Sequence, residues 1–136
     1  MILCTYLNFP GTCAEAFRFY AEALGGTILM MQTHGESPMR DQVPAEMQST
    51  VLHARMSVGG QFLMGSDAPP QHFQTAQGFS VSMSFSDAAE SARVFAALAE
   101  GGRVTMPFQA TFWSPGFGAV TDRFGTPWMI NTEAGL

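Results

Sequence analysis

The chain has 136 residues, 46% hydrophobic and 12% charged, with 14 Gly and 8 Pro. That is enough chain to bury roughly two-thirds of its unfolded surface, so neither a disulfide nor a metal staple is required. The net charge of −5 repels phosphate backbones and argues against nucleic acid as a partner. All six basic residues are arginine. With no lysine, Schiff-base chemistry, pyridoxal phosphate attachment and a phosphate-loop lysine are excluded. Cys4 and Cys13 form no CxxC pair, which removes a disulfide framework or a cysteine-rich zinc site. The opening MILCTYLNFPG has no basic segment, so no signal peptide is expected, and no apolar run approaches a membrane span. A cytoplasmic protein without a membrane partner is the expectation.

In chain order, the first strand-like run is Ile2–Phe9. A helix follows in AEAFRFYAEALGG (14–26), with Thr12 and Glu15 spaced as a capping box. Thr27–Gln32 reads as a strand, His34–Ser49 as a polar, Pro- and Gly-containing loop. Thr50–Val58 and Gln61–Ser66 flank Gly59-Gly60, the composition of a two-residue hairpin turn. Ala68–Gln77, with Pro69-Pro70, reads as a linker. The order then repeats. Phe79–Phe85 is a strand, and AESARVFAALAEGG (89–102) a helix capped by Asp87 with Glu90. Arg103–Phe108, Phe117–Asp122 and Pro127–Thr132 are strands. Ala14, Glu15, Arg18 and Ala21 match Ala89, Glu90, Arg93 and Ala96 at a constant offset of 75. Each half reads β-α-β-β-β, an α+β fold built twice. Module 1 covers about 1–67, the linker about 68–77 and module 2 about 78–136, within one domain.

Strict alternation in FSVSMSF puts Ser80, Ser82 and Ser84 on one face and Phe79, Val81, Met83 and Phe85 on the helix side. The offset of 75 makes Thr5 the counterpart of Ser80 on the open face and turns Cys4 toward the helix. A Gly59-Gly60 turn pairs Val58 with Gln61, Arg55 with Met64 and His53 with Ser66. His53, Arg55, Phe62, Met64 and Ser66 then share one face, and Phe117, Ala119, Thr121, Met129 and Asn131 form the matching set. A one-residue slip would invert both sets.

Two polar residues stand out there. Arg55 offers a planar fork for a carboxylate or phosphate, and His53 can serve as an acid or base near neutral pH. The alternative is hydrogen-bonded structure at a wet sheet edge or dimer interface. Trp113, Phe117 and Phe62 could line an apolar ligand, with core packing as their other reading. Asp67 and Asp122 read as turn formers. Cys13 follows a helix start whose dipole lowers a thiol pKa, and is expected on the solvent side. His34 and His72, in loops, are expected to be solvated. Met30-Met31, Met39 and Met47 near the long loop are candidates for an adaptable ligand mouth.

The motifs YLNFPG (6–11), AFRFYAEALGG (16–26), LMGSD (63–67) and W-SPGFG-V-DRFGTPWMIN (113–131) together resemble the vicinal oxygen chelate superfamily, which includes glyoxalase, bleomycin-resistance and extradiol dioxygenase proteins. The PhnB-like branch is the nearest in pattern. The resemblance spans the whole chain. It implies two β-α-β-β-β modules curled around a cavity, commonly in a homodimer. Metal enzymes of the superfamily take ligands from the first and last strands of each module, which by motif and repeat are Thr5, Met64, Ser80 and Met129. None is an ordinary ligand for a hard or borderline divalent ion, so no metal and no cofactor is expected. Some branch members carry a ubiquinone-pathway methyltransferase label, but no glycine-rich strand-turn-helix loop is present to hold an adenosyl group.

The leading expectation is a protein that binds a small organic molecule without the usual metal. Arg55 would anchor an anionic end, and Phe62, Met64, Trp113, Phe117 and Met129 would hold the body. The alternatives are a lyase or isomerase with His53 as general base, and a noncatalytic dimeric module with a vestigial cavity.

Overall fold

The computed structural model describes all 136 residues, which divide into two compact units, 1–74 and 75–136. Each unit has the repeated β-α-β-β-β order. The first contains β1 (Thr5–Phe9), α1 (Cys13–Leu24), β2 (Thr27–Thr33), β3 (Val51–Val58) and β4 (Gln61–Asp67). The second contains β5 (Val81–Phe85), α2 (Ala88–Ala99), β6 (Arg103–Gln109), β7 (Phe117–Thr121) and β8 (Pro127–Thr132). Each has one open four-stranded mixed sheet, ordered β1-β4-β3-β2 and β5-β8-β7-β6. The first strand runs parallel to the last in each sheet, and the remaining pairs are antiparallel.

Helical periodicity explains what the helices bury. In α1 the inward positions are Cys13, Ala16, Phe17, Tyr20, Ala23 and Leu24, one stripe at i, i+3, i+4 spacing. In α2 they are Ser91, Val94, Phe95 and Leu98. Across from α1 the sheet presents Leu7, Phe9, Ala54, Met56 and Leu63, all nearly inaccessible to solvent. Each buried large side chain contributes roughly 1.5–3 kcal/mol. The helices come close because glycine faces their rings. A Cβ on Gly65 would meet Phe17 Cε1 at 2.8 Å, and one on Gly118 would meet Phe95 Cε2 at 2.7 Å.

The hairpin between β3 and β4 turns through Gly59 and Gly60, both at positive φ (55° and 79°), which suits the right-handed twist of the strands. The expected register follows: Val58 faces Gln61 and Arg55 faces Met64. In the second unit Ala119 faces Met129 and Phe117 faces Asn131. Of the four edge strands, β2 and β6 carry bulges, which blunt an edge against pairing with another chain. The long loop between β2 and β3 contains three short 3-10 turns. Gln48 pins it by donating from Nε2 to the carbonyls of Arg40 and Val43.

Several local expectations are corrected. β1 begins at Thr5 rather than Ile2, and β5 at Val81 rather than Phe79, leaving Ser80 outside the strand. Phe79 is exposed rather than packed on the helix side. The Thr12 side chain makes no cap hydrogen bond to α1. Asp87 does cap α2 by accepting from Ala89 N, but Glu90 turns to Arg93 instead of back to the cap. His34 is not free in solvent; its Nδ1 lies 3.0 Å from Thr50 Oγ1.

Asp67 does the work expected of Thr12. It is the buried last residue of β4, not a turn former. Its Oδ1 accepts from Gly11 N (3.0 Å) and Cys13 N (2.9 Å), and its Oδ2 from Val51 N (2.9 Å). One carboxylate thus joins the end of β4 to the start of α1 and the start of β3. Charged acceptors on backbone N–H groups make the stronger class of hydrogen bond. In the second unit Thr132 takes the corresponding place, paired with Phe85 as Asp67 is with Phe9. Its hydroxyl donates to Ser91 Oγ, a neutral substitute within the same topology. Asp122 is the turn residue expected. Its Oδ1 accepts from Phe124 N and Thr126 N, and its Oδ2 accepts from the indole N–H of the buried Trp128.

Replacing Asp67 by Ala strands two buried donors, Cys13 N and Val51 N, and the part-buried Gly11 N, and should cost about 3–5 kcal/mol in urea unfolding. Thr132→Ala, which removes one neutral contact, should cost about 1 kcal/mol. Equal costs would show that the carboxylate carries no special share of the first unit's stability.

Candidate functional site

Alternation sends every second side chain of each sheet away from its helix. In the first unit this open face carries Tyr6 and Asn8 from β1, Met64 and Ser66 from β4, and His53 and Arg55 from β3. Tyr6, Met64 and Arg55 lie in one row across three strands. Met30, on β2, extends that row beside Arg55, whereas Met31 pairs with the helix-side Ala54.

Two contacts organise the polar groups. The Tyr6 hydroxyl lies 3.1 Å from His53 Nδ1, and the two rings stack at 17° with centroids 5.7 Å apart. The Arg55 guanidinium sits 5.0 Å above the centroid of the Phe62 ring, within cation–π range. Arg55 Nε is buried and makes no hydrogen bond. A buried unpaired donor costs about 1–3 kcal/mol, and a charged one costs more.

The second unit presents a different chemistry on the matching face. Phe117 faces Asn131, Ala119 faces Met129, and Ser82 and Ser84 stand on β5. Trp113, half-exposed in the loop before β7, packs edge-on against the buried Phe117 at 5.5 Å. Asn131 Oδ1 is buried without a partner, while its Nδ2 points to Ser84 Oγ at 3.5 Å. Trp113, Phe117 and Met129 belong to this unit, and Phe62, Met64, His53 and Arg55 to the first.

Tyr6 was not visible to the repeat argument. Thr5 and Ser80 are not the open-face pair. Thr5 shares the alternation of Leu7 and Phe9, toward the helix. Phe9 and Phe85 hold equivalent strand positions 76 residues apart, whereas α1 and α2 begin 75 apart. The extra residue lies in Pro10-Gly11-Thr12, against Ser86-Asp87 in the second unit. The groups opposite Met64 and Met129 are therefore Tyr6 and Ser82. A phenol, a hydroxyl and two thioethers still do not fit a hard or borderline divalent ion. No group of three or more His, Cys, Asp or Glu converges in the structure.

The family model described as 3-demethylubiquinone-9 3-methyltransferase matches residues 2–131. The chain belongs to this PhnB-like family. It is 39% identical to Protein YjdN of Escherichia coli K12, over 96% of this chain and 95% of that one. The crystal structure of protein PA1353 from Pseudomonas aeruginosa is 44% identical, with a TM-score of 0.90 and 98% of each chain covered. The PhnB protein from Bacillus cereus is 25% identical, with a TM-score of 0.82 over 98% of this chain and all of that one (100%). A glyoxylase/bleomycin resistance protein/dioxygenase domain from Frankia, 15% identical, shares the fold at a TM-score of 0.62, covering 96% of this chain and 94% of that one. That likeness is one of fold. No helix in it is long and apolar enough to cross a membrane.

Cys13 of this PhnB-like chain lies on the buried stripe of α1, away from the open face. Cys13 is not the solvent-side thiol expected from its place at a helix start. It is wholly buried under the Asp67 carboxylate, and burial first, then the Asp67 charge, push its pKa up to about 12. Cys4 is half-buried ahead of β1, and both thiols are free. At pH 8 an aromatic disulfide reagent should therefore titrate Cys4 in the native protein and Cys13 only after unfolding. Because the thiol form is favoured in the fold, this group's stabilising share should fade as pH climbs from the ordinary thiol range toward 12. Rapid native labelling of Cys13 would contradict that burial.

Proposed function

We propose that this PhnB-like protein binds a small organic anion on the open face of its first sheet, with Arg55 as the anchor. The carrying observation is the buried Arg55 Nε that makes no hydrogen bond within the chain. A guanidinium positioned on the Phe62 ring keeps its planar fork available for a carboxylate or phosphate. Phe62 and Met64 supply apolar surface beside it. The binding reading needs no metal, in keeping with a donor set unsuited to one. Trp113, Phe117 and Met129 belong to the second unit, where we propose that they supply apolar surface on that unit's own open face. Homodimerisation belongs to the same proposal, supported by apolar groups such as Leu3 and Phe112, which are 93% and 98% exposed. Two free thiols accord with a cytoplasmic location.

The Tyr6–His53 contact favours a second reading, a lyase or isomerase in which this pair handles a proton. His53→Ala would abolish turnover while leaving binding in place if that reading holds.

A native mass spectrum of gently purified protein, followed by a denatured one, tests the binding proposal directly. The expected result is a dimer carrying a small organic mass and no metal. Arg55→Ala should weaken rebinding of that molecule about 10- to 100-fold, the share of one charged hydrogen bond. A stoichiometric divalent metal, or unchanged rebinding by the variant, would overturn the proposal.

A further inference from the structure

His53 and Arg55 share the open face of β3 two residues apart, hence about 7 Å apart along the strand. Arg55 offers only donors. What His53 offers depends on which ring nitrogen carries its proton, and that is set by the bond the other nitrogen makes. Here the other bond is to Tyr6, whose hydroxyl is 3.1 Å from Nδ1. A phenol donates better than it accepts, so Tyr6 O–H gives its proton to the contact and Nδ1 accepts. The single proton of the neutral ring then sits on Nε2. The stacked, nearly parallel rings hold the imidazole in that orientation.

We propose that Tyr6 is a positioning residue that fixes His53 as an Nε2–H donor, so that His53 and Arg55 together take the two oxygens of a carboxylate on a flat aromatic molecule. The aromatic class follows from what flanks the donors: the Phe62 ring beneath Arg55 and Tyr6, a residue 45% exposed. The proposal rests on the Arg55 anion site above, and adds the ligand class and the part of Tyr6. It also changes the part open to His53. In its neutral form the nitrogen left for a ligand gives a hydrogen bond, as an acid would, and does not accept one.

Nitrogen-15 spectra of the His53 ring in the ligand-free protein read the tautomer without any ligand. The expected result at pH 8 is the Nε2–H form with a hydrogen-bonded Nδ1 signal, which shifts in Tyr6→Phe. An Nδ1–H form, or an Nδ1 signal unmoved by that substitution, overturns the role of Tyr6. Binding is then compared for benzoate and its neutral isostere benzamide. Wild type should prefer benzoate, and His53→Ala should lose roughly 3- to 10-fold in benzoate affinity, one ordinary hydrogen bond. An unchanged benzoate affinity in His53→Ala overturns the two-donor site. Benzoate bound no better than benzamide by the wild type overturns the Arg55 anion site itself, and the tautomer still decides Tyr6 separately.

Discussion

The first unit depends on one buried carboxylate. Asp67 ends β4, which lies between β1 and β3, and its oxygens hold backbone N–H groups from the β1–α1 connection, the start of α1 and the start of β3. These are the places where a one-residue slip would do most damage, because side chains alternate faces with a period of two. Pinning all three fixes which residues meet the helix and which are left for the open face. The second unit reaches the same topology with hydroxyls, Thr132 on Ser91. The fold therefore requires that this junction be satisfied, not that it be charged.

Much of this arrangement was legible in the sequence because it is written in periodicity. The alternation in VSMSF and the Gly59-Gly60 turn are local signals, and each gave the right face or register. What failed were inferences that crossed a connection. A constant repeat offset carried Thr5 to the open face, but one extra residue between β1 and α1 breaks that offset and reverses the parity. Leu7 and Phe9, both apolar and two apart, held the contrary signal, and it pointed to Tyr6. The cap on α1 was also out of reach, since its acceptor lies 54 residues downstream of Cys13. The same tertiary contact explains why a thiol at a helix start is buried and hard to ionise.

Comparison of the two halves separates what the scaffold needs from what only one unit has. The register places Ser82 where the first unit has Tyr6, Ala119 where it has Arg55, Phe117 where it has His53, and Asn131 where it has Ser66. The strand orders are identical. No backbone requirement of the β-α-β-β-β unit therefore calls for a guanidinium or an imidazole at these places, because alanine and phenylalanine serve in the second unit. Methionine, by contrast, stands at the corresponding place in both, at 64 and 129.

That contrast bears on the unpartnered nitrogen of Arg55. A long charged side chain loses rotamer freedom when it is held over a ring, and its buried Nε has given up water with no bond in return. The cation–π contact with Phe62 offsets this by about 0.5–2 kcal/mol. Alanine, as at 119, would avoid the desolvation altogether. A cost borne at Arg55 and absent at its counterpart Ala119 supports a use outside the fold's own stability. The anion proposed at the guanidinium would supply the missing acceptor, and the Tyr6–His53 pair, also confined to that unit, stands beside it on the same face.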